Sequence, residues 1–141
     1  MFTALQDLST SLAVLLLGMA IGAGWICTMA APNAFFDDLG GQSANAQVRR
    51  LLLAGSTPIA GMLLGGAAAS ILTGAYVAGA LALVAACGFF SNRWILASLK
   101  TGDTKAGTQR QKSSQRAVAV GLSMVFLLVA VISVVLLLFG V

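Results

Sequence analysis

Four long apolar runs, separated by polar segments, dominate the sequence. They cover approximately residues 10–31, 51–72, 75–92 and 117–141, and none of them contains Asp, Glu, Lys or Arg. About 20 consecutive apolar residues in a helix cross the hydrocarbon core of a bilayer, which is roughly 30 Å thick. The pattern therefore predicts a single all-α domain, an integral membrane four-helix bundle with one span in each run.

Composition supports a membrane protein and excludes a water-soluble one. Of the 141 residues, 59% are hydrophobic and 9% are charged, whereas a soluble domain carries roughly a quarter of its residues charged. The net charge is +4, all eight basic residues lie in two segments, and no aromatic residues alternate with the basic ones as a base-stacking surface requires. The basic segments therefore indicate contact with lipid headgroups, and we expect no nucleic acid partner.

The basic residues also predict the orientation in the membrane. All eight Lys and Arg residues lie in the polar segments 32–50 and 93–116, and none lies in the N-terminal segment, between the second and third runs or after the last run. Loops rich in Lys and Arg stay on the cytoplasmic side. We expect loops 32–50 and 93–116 to be cytoplasmic and both termini to be periplasmic, in a bacterial-type inner membrane.

Proline, serine and glycine mark the expected ends of the helices. Pro32 is predicted to end the first span, because proline disfavours helix at the residue before it. Ser43 is a candidate N-cap for the second span. Thr73 and Gly74 predict a tight hairpin between the second and third spans, and Pro58 predicts a kink within the second.

Two pairs of glycines have the spacing that brings membrane helices together. They are Gly18-xxx-Gly22 in the first span and Gly61-xxx-Gly65 in the second. Small side chains on one face let two helix backbones approach closely. Two interpretations stay open: the pairs pack spans one and two against each other, or they form a face that docks another membrane protein or a second copy.

The sequence offers little catalytic chemistry. Histidine is absent, and all four Asp residues lie outside the apolar runs, whereas ion-coupled carriers need an ionisable group within the membrane. The two cysteines, Cys27 and Cys87, form no CxxC pair. Their predicted depths are similar enough for them to be neighbours, and we interpret both as small buried apolar residues. We therefore expect no catalytic residue, no metal and no cofactor.

Polar and aromatic residues near the predicted end of the third span form the remaining candidate site. Asn92, Arg93 and Trp94 place an amide, a guanidinium and an indole at one helix end. One interpretation is interfacial anchoring, with Arg93 reaching lipid phosphate. The other is a headgroup or partner site in which Arg93 pairs with an aspartate of loop 32–50, with Trp25 near a ligand bound between the spans.

A family resemblance rests on the layout of several parts of the chain. They are GAGWICTMAAPNAFFDDL, RRLLLAGSTPIAGMLL, Asn92 in FFSNRWILASL, and the hydrophilic loop that follows. This layout resembles that of small four-helix membrane proteins of the anthrone-oxygenase-like and uncharacterised type. The resemblance implies a four-helix membrane fold and an oxygenase activity.

Two functional hypotheses from different classes follow. The first is a non-catalytic membrane subunit that packs against or stabilises a larger complex, with lipids, other integral membrane subunits or its own copies as partners. The second is a small membrane enzyme or carrier that binds an apolar substrate, such as a quinone or lipid, near Trp25, Pro58 and Asn92. Small-residue faces and the lack of acids, bases and metal ligands within the spans favour the first.

Overall fold

A computed structural model describes residues 2–38, 41–98 and 108–141, and these ranges are helical almost throughout, with no β-strand among them. The helices are α1 (Phe2–Trp25), α2 (Ala31–Asp38), α3 (Gly41–Leu72), α4 (Tyr76–Ser98) and α5 (Thr108–Leu138), and a π-helical turn, Ile26–Ala30, joins α1 to α2. The prediction of an all-helical protein is confirmed.

Among residues 2–38, 41–98 and 108–141, three stretches of helix are long and apolar enough to cross a membrane. They are Ala4–Ala34, Ala46–Leu72 and Val120–Leu138, and the apolar part of α4, Tyr76–Ser91, is shorter. Large apolar side chains are exposed along these helices, which a membrane-embedded surface requires. The fold therefore contains helices that are long and apolar enough to span a membrane.

The long helices pack on one another in the order α1, α3, α4, α5. Helix α3 contacts α1 and α4, and α5 contacts α4 extensively and α1 less extensively. Helices α3 and α4 are antiparallel, since they are joined by the short turn Thr73–Ala75. We call the end with this turn the hairpin end and the opposite end, which holds Arg49 and Arg50, the basic end.

Glycines on inner faces receive larger side chains from the neighbouring helix. A Cβ added at Gly66 of α3 would lie 2.7 Å from Leu17 of α1, and one added at Gly24 of α1 would lie 2.5 Å from Leu127 of α5. Each glycine therefore forms a hollow that the larger side chain fills. Because lipid tails are as apolar as a helix surface, such shape-dependent contacts are a main source of attraction between helices in a membrane.

Alanine fills most of the remaining interior. The buried hydrophobic cluster at the centre contains Ala13, Ala20, Ala60, Ala67, Ala69, Ala75, Ala78, Ala82, Ala85, Ala86 and Ala130, with Leu17, Ile59, Leu63, Phe89, Leu127 and Leu137. Short side chains allow the helix axes to approach closely, and the few large residues fill the space that remains.

The hairpin end is closed by hydrogen bonds as well as by packing. Gly74 has a φ of +90°, which L-residues other than glycine rarely adopt, so the predicted Thr73–Gly74 hairpin is confirmed. Ser133 of α5 donates to the carbonyl oxygen of Ala78 in α4 at 2.7 Å. The backbone N–H of Ala78 donates to the carbonyl oxygen of Val141 at 3.3 Å.

The prediction that Pro32 ends the first helix is wrong. The chain stays helical to Asp38, because the π-helical turn Ile26–Ala30 comes directly before α2. In this wider turn the N–H of Ala31 donates to the carbonyl oxygen of Ile26, five residues earlier. Pro32 is then the second residue of α2, and proline is tolerated in the first turn of a helix.

Other helices are also longer than the apolar runs. Helix α1 begins at Phe2, α3 begins at Gly41 so that Ser43 lies inside it, α4 continues to Ser98 and α5 begins at Thr108. Helix therefore occupies much of the predicted loops 32–50 and 93–116, and residues 39–40 and 99–107 lie outside the described part of the chain. The backbone hydrogen bonds of a helix continue into water as well as into lipid, so hydrophobicity alone does not locate a helix end. Helix α3 passes Pro58 without a break.

Candidate functional site

Three of the four glycines predicted to pack helices lie on the outside. Gly18, Gly22 and Gly61 are exposed, and a Cβ added at any of them would meet nothing within 4 Å. Gly65 is half-buried, and its added Cβ would lie 3.2 Å from Leu16 of α1. The interpretation that the two pairs pack spans one and two together is therefore wrong for Gly18, Gly22 and Gly61, while a docking role stays a prediction.

Most of the glycines that do pack helices together lie outside the two predicted pairs. They are Gly24, Gly55, Gly66, Gly79 and Gly88, each of which would place an added Cβ within 3.0 Å of a side chain from another helix or helical turn. A signal for one of them is present in the sequence. Ala13, Leu17, Ala20 and Gly24 alternate at spacings of four and three residues, which is the pattern of an inward-facing seam.

The exposed pair in α1 lies among large apolar side chains. Leu15, Met19 and Trp25 are 57%, 52% and 58% exposed. We call Leu15, Gly18, Met19, Gly22 and Trp25 the α1 outer face. Gly18 and Gly22 are one helical turn apart, so they form a shallow hollow about 6 Å long between larger neighbours.

The group at the predicted end of the third span is only partly described. Trp94 lies in α4 and is 74% exposed. Asn92 and Arg93 also belong to α4, but their side chains lie outside the described part of the structure, as do those of Asp37 and Asp38. The pairing of Arg93 with an aspartate therefore stays a prediction.

The two cysteines lie in different surroundings. Cys27 is half-buried in the π-helical turn, and a Cβ added at Gly55 of α3 would lie 2.9 Å from its sulfur. Cys87 is exposed on α4, and both thiols are free. The interpretation of both cysteines as buried is therefore wrong for Cys87, since only Cys27 is packed against a neighbouring helix.

Three buried hydroxyl side chains lie toward the basic end. Thr28, Ser56 and Ser123 are 3%, 4% and 1% exposed and come from the π-helical turn, α3 and α5. Thr28 donates to the carbonyl oxygen of Gly24 at 2.7 Å, and Ser56 donates to that of Leu53 at 3.0 Å. We call these three residues the hydroxyl layer. The sequence analysis missed it, because serine and threonine that bond to their own helix are common in membrane spans.

Metal chemistry has no support among the described residues. No group of three or more His, Cys, Asp or Glu side chains there could hold a metal ion. The candidate features are therefore a surface for packing and a neutral polar interior.

Comparisons with protein-family models, with curated protein sequences and with solved structures find no match to this chain. The resemblance to the anthrone-oxygenase-like family stays a prediction. The class that the fold defines is an all-helical protein with helices long and apolar enough to span a membrane.

Proposed function

We propose that this protein is a non-catalytic integral membrane subunit that packs, through the α1 outer face, against another membrane protein or a second copy of itself. One observation carries the proposal. The hollows at glycines on inner faces are occupied by side chains of neighbouring helices, such as Leu17, Leu127 and Phe126. The hollow at Gly18 and Gly22 is open to the outside.

The physical argument concerns the cost of glycine in a helix. Glycine destabilises a helix interior by about 1 kcal/mol relative to alanine. Inside the protein that cost is offset by close packing, as at Gly66 against Leu17. At Gly18 and Gly22 no side chain of the described residues makes such a contact, and a helix from a partner would do so. Glycines four residues apart are the spacing at which two membrane helices cross with their backbones close.

The membrane arrangement is part of the same proposal. Helix α4 serves as a fourth span beside the three longer ones, so that the four long helices form a bundle. The basic end faces the cytoplasm and the hairpin end and both termini face the periplasm of a bacterial-type inner membrane. The support is the distribution of charge, because Arg49 and Arg50 lie at one end and the Thr73–Ala75 turn at the other carries no basic residue.

The test compares two exposed glycines with a matched control. Gly18→Leu and Gly22→Leu are expected to leave a folded monomer that loses its partner or its self-association. Gly121→Leu is the control, because Gly121 is exposed on α5 and its added Cβ also meets nothing within 4 Å. The measurement is the size and composition of the particle purified from native membranes. Equal assembly in all three variants would contradict the proposal.

A small enzyme or carrier for a quinone or lipid is the second candidate. The observation that favours it is the hydroxyl layer, which places polar side chains in the interior. Trp25 and Pro58, which were expected near the substrate, are both exposed and face outward. Its test is the content of the purified particle. A bound quinone or lipid without a stoichiometric protein partner would favour this candidate over the subunit.

A further inference from the structure

Helix α1 extends beyond α3 at the hairpin end. The two helices are antiparallel, because a Cβ added at Gly66 of α3 would meet Leu17, and one added at Gly55 would meet Cys27, just past the end of α1. From the level of Gly66 and Leu17, α3 continues for six residues to Leu72, whereas α1 continues for fifteen residues to its start. The nine additional residues make about 13 Å of helix. The first two turns of α1 therefore lie past the Thr73–Ala75 turn.

Helix α5 is also antiparallel to α1. A Cβ added at Gly88 of α4 would overlap Phe126 of α5. Ala78, ten residues earlier in α4, accepts a hydrogen bond from Ser133, seven residues later in α5. Helix α5 therefore runs opposite to α4, as α4 does to α3 and α3 does to α1.

The depth of α5 shows how much of α1 the hydrocarbon core covers. The apolar stretch of α5, Val120–Leu138, has 19 residues, which is about 28 Å of helix and matches a core roughly 30 Å thick. Gly24 of α1 lies level with Leu127 of α5, whose side chain an added Cβ would meet. The end of the α5 stretch is eleven residues beyond Leu127, and eleven residues from Gly24 toward the start of α1 is Ala13. Residues of α1 before Ala13 therefore lie beyond the hydrocarbon that α5 crosses.

An apolar row follows the outer side of α1 on both sides of that boundary. Its members recur at alternating intervals of three and four residues, which is the spacing of positions a and d in a coiled coil. The first three, all beyond the boundary, are 64%, 67% and 49% exposed. The outer row is Leu5, Leu8, Leu12, Leu15, Met19 and Gly22.

The part of the outer row beyond the hydrocarbon favours a protein partner. Helix α5 also has outward apolar residues, such as Leu128 and Ile132, but these lie within its apolar stretch, where lipid tails cover them. Leu5 and Leu8 instead meet water or headgroups, where removal of apolar surface from water is favourable. The hydrophobic effect therefore acts on α1 at a place where it does not act on α5.

A second copy of the chain complements this row. Two copies in one membrane have the same orientation, so their α1 helices are parallel and extend past the turn at the same end and by the same length. Parallel helices with apolar residues at positions a and d interlock along such rows. Asp7 is the one charged residue of α1, and with Leu5 at a and Leu8 at d it takes position c, away from the row. Like charges therefore do not meet between the two copies.

We propose that two copies of this chain pair in parallel through the outer row, with their α1 helices in contact from Leu5 to Gly22. The inference rests on the proposed function, because Leu15, Met19 and Gly22 belong to both the outer row and the α1 outer face, and it identifies the partner at that face as a second copy. Beyond the hydrocarbon the pair is held by removal of Leu5 and Leu8 from water, and within it by close approach of the helices at Gly22.

Disulfide cross-linking in membranes tests the pairing. The full chain carries Cys27→Ala and Cys87→Ala, and single cysteines are introduced as Leu8→Cys or, as the matched control, Gln6→Cys. Gln6 is exposed near the same level but lies on another side of α1. Copper phenanthroline is the oxidant, and non-reducing electrophoresis measures the dimer. Leu8→Cys is expected to cross-link at least about tenfold faster, because paired d positions bring the Cα atoms near the roughly 4.4–6.8 Å that a disulfide requires.

A charge placed in the outer row gives a second measurement. Leu8→Glu sets two carboxylates against each other in the pair, but in the monomer the charge lies in water, since Leu8 is 67% exposed. The dissociation constant of the dimer, measured by energy transfer between labelled copies in detergent, is expected to rise at least about tenfold through the lost burial of leucine. Gln6→Glu adds the same charge off the row and should leave the constant unchanged. Thermal unfolding of each variant checks that the fold is intact.

Equal cross-linking of Leu8→Cys and Gln6→Cys, or equal dissociation constants for Leu8→Glu and Gln6→Glu, would overturn the pairing. A different protein that co-purifies and is lost in Gly22→Leu, without cross-linking at Leu8→Cys, would also overturn the pairing but support the proposed packing role. Cross-linking at Leu8→Cys that Gly22→Leu leaves unchanged would support the pairing and contradict the packing role of Gly22. The two proposals therefore fail in distinguishable ways.

Discussion

The hydroxyl of Ser133 in α5 donates a 2.7 Å hydrogen bond to the backbone carbonyl oxygen of Ala78 in α4, and both residues are buried. The carbonyl of Ala78 lies in the first turn of α4, so this bond joins α5 to the start of its neighbour. Close contact of the two backbones is possible here because Ala78 has a small side chain.

We expect Ser133→Ala to destabilise the protein by about 0.6 kcal/mol, the average for hydrogen bonds between membrane helices, and by no more than about 1.7 kcal/mol, the maximum. The measurement is denaturant unfolding in detergent micelles. Ser11→Ala is the control, since Ser11 is exposed and donates to the carbonyl oxygen of Asp7 within α1. If the two substitutions have equal effects, the bond to Ala78 contributes nothing beyond a local one.

Gly88 is expected to tolerate no side chain. A Cβ added there would overlap the ring of Phe126 in α5, so Gly88→Ala should cost about 1–3 kcal/mol through overpacking. The measurement is the free energy of unfolding, compared with Gly61→Ala, which adds the same group where nothing lies within 4 Å. Phe126→Leu combined with Gly88→Ala should recover part of the loss. A neutral Gly88→Ala would show that α4 and α5 are not packed as described.

Cys27 and Cys87 are expected to differ in their tolerance of a larger side chain. Cys27→Leu should destabilise the protein by about 1–3 kcal/mol, because the sulfur already lies against Gly55. Cys87→Leu should be close to neutral, since Cys87 is exposed on α4. Thermal unfolding of the two purified variants gives the comparison. The reverse order of stabilities would mean that the faces of the π-helical turn and of α4 are assigned incorrectly.

The orientation in the membrane is tested with a reporter that is active only in the periplasm. Because loops rich in Lys and Arg stay in the cytoplasm, the reporter should be active when fused after Val141 and inactive when inserted at Lys105. Immunodetection of both fusions controls for expression. Activity of the Lys105 insertion would reverse the proposed arrangement of loops and termini.

Part of the candidate site could be predicted from the sequence. The spacing of Gly18 and Gly22 predicts a face for close packing, but the same spacing occurs whether a face points inward or outward. The direction depends on how far each helix is rotated, which its neighbours determine through contacts such as Leu127 on Gly24. The hydroxyl layer forms because three segments that are distant in the sequence place Thr28, Ser56 and Ser123 at a similar depth. No local sequence pattern predicts that arrangement.

The sequence by itself determined the class of the protein. Uncharged apolar runs of about 20 residues must form helices in a membrane, because backbone groups without hydrogen bonds are too costly in hydrocarbon. Gly74 determined the hairpin for a similarly local reason, since its positive φ suits glycine. The tertiary structure decided which glycines contact a side chain of a neighbouring helix and where the buried hydroxyls lie. It also decided that the chain stays helical beyond Pro32, through the π-helical turn Ile26–Ala30. These features depend on contacts between helices and on the register of backbone hydrogen bonds, which composition and spacing do not specify.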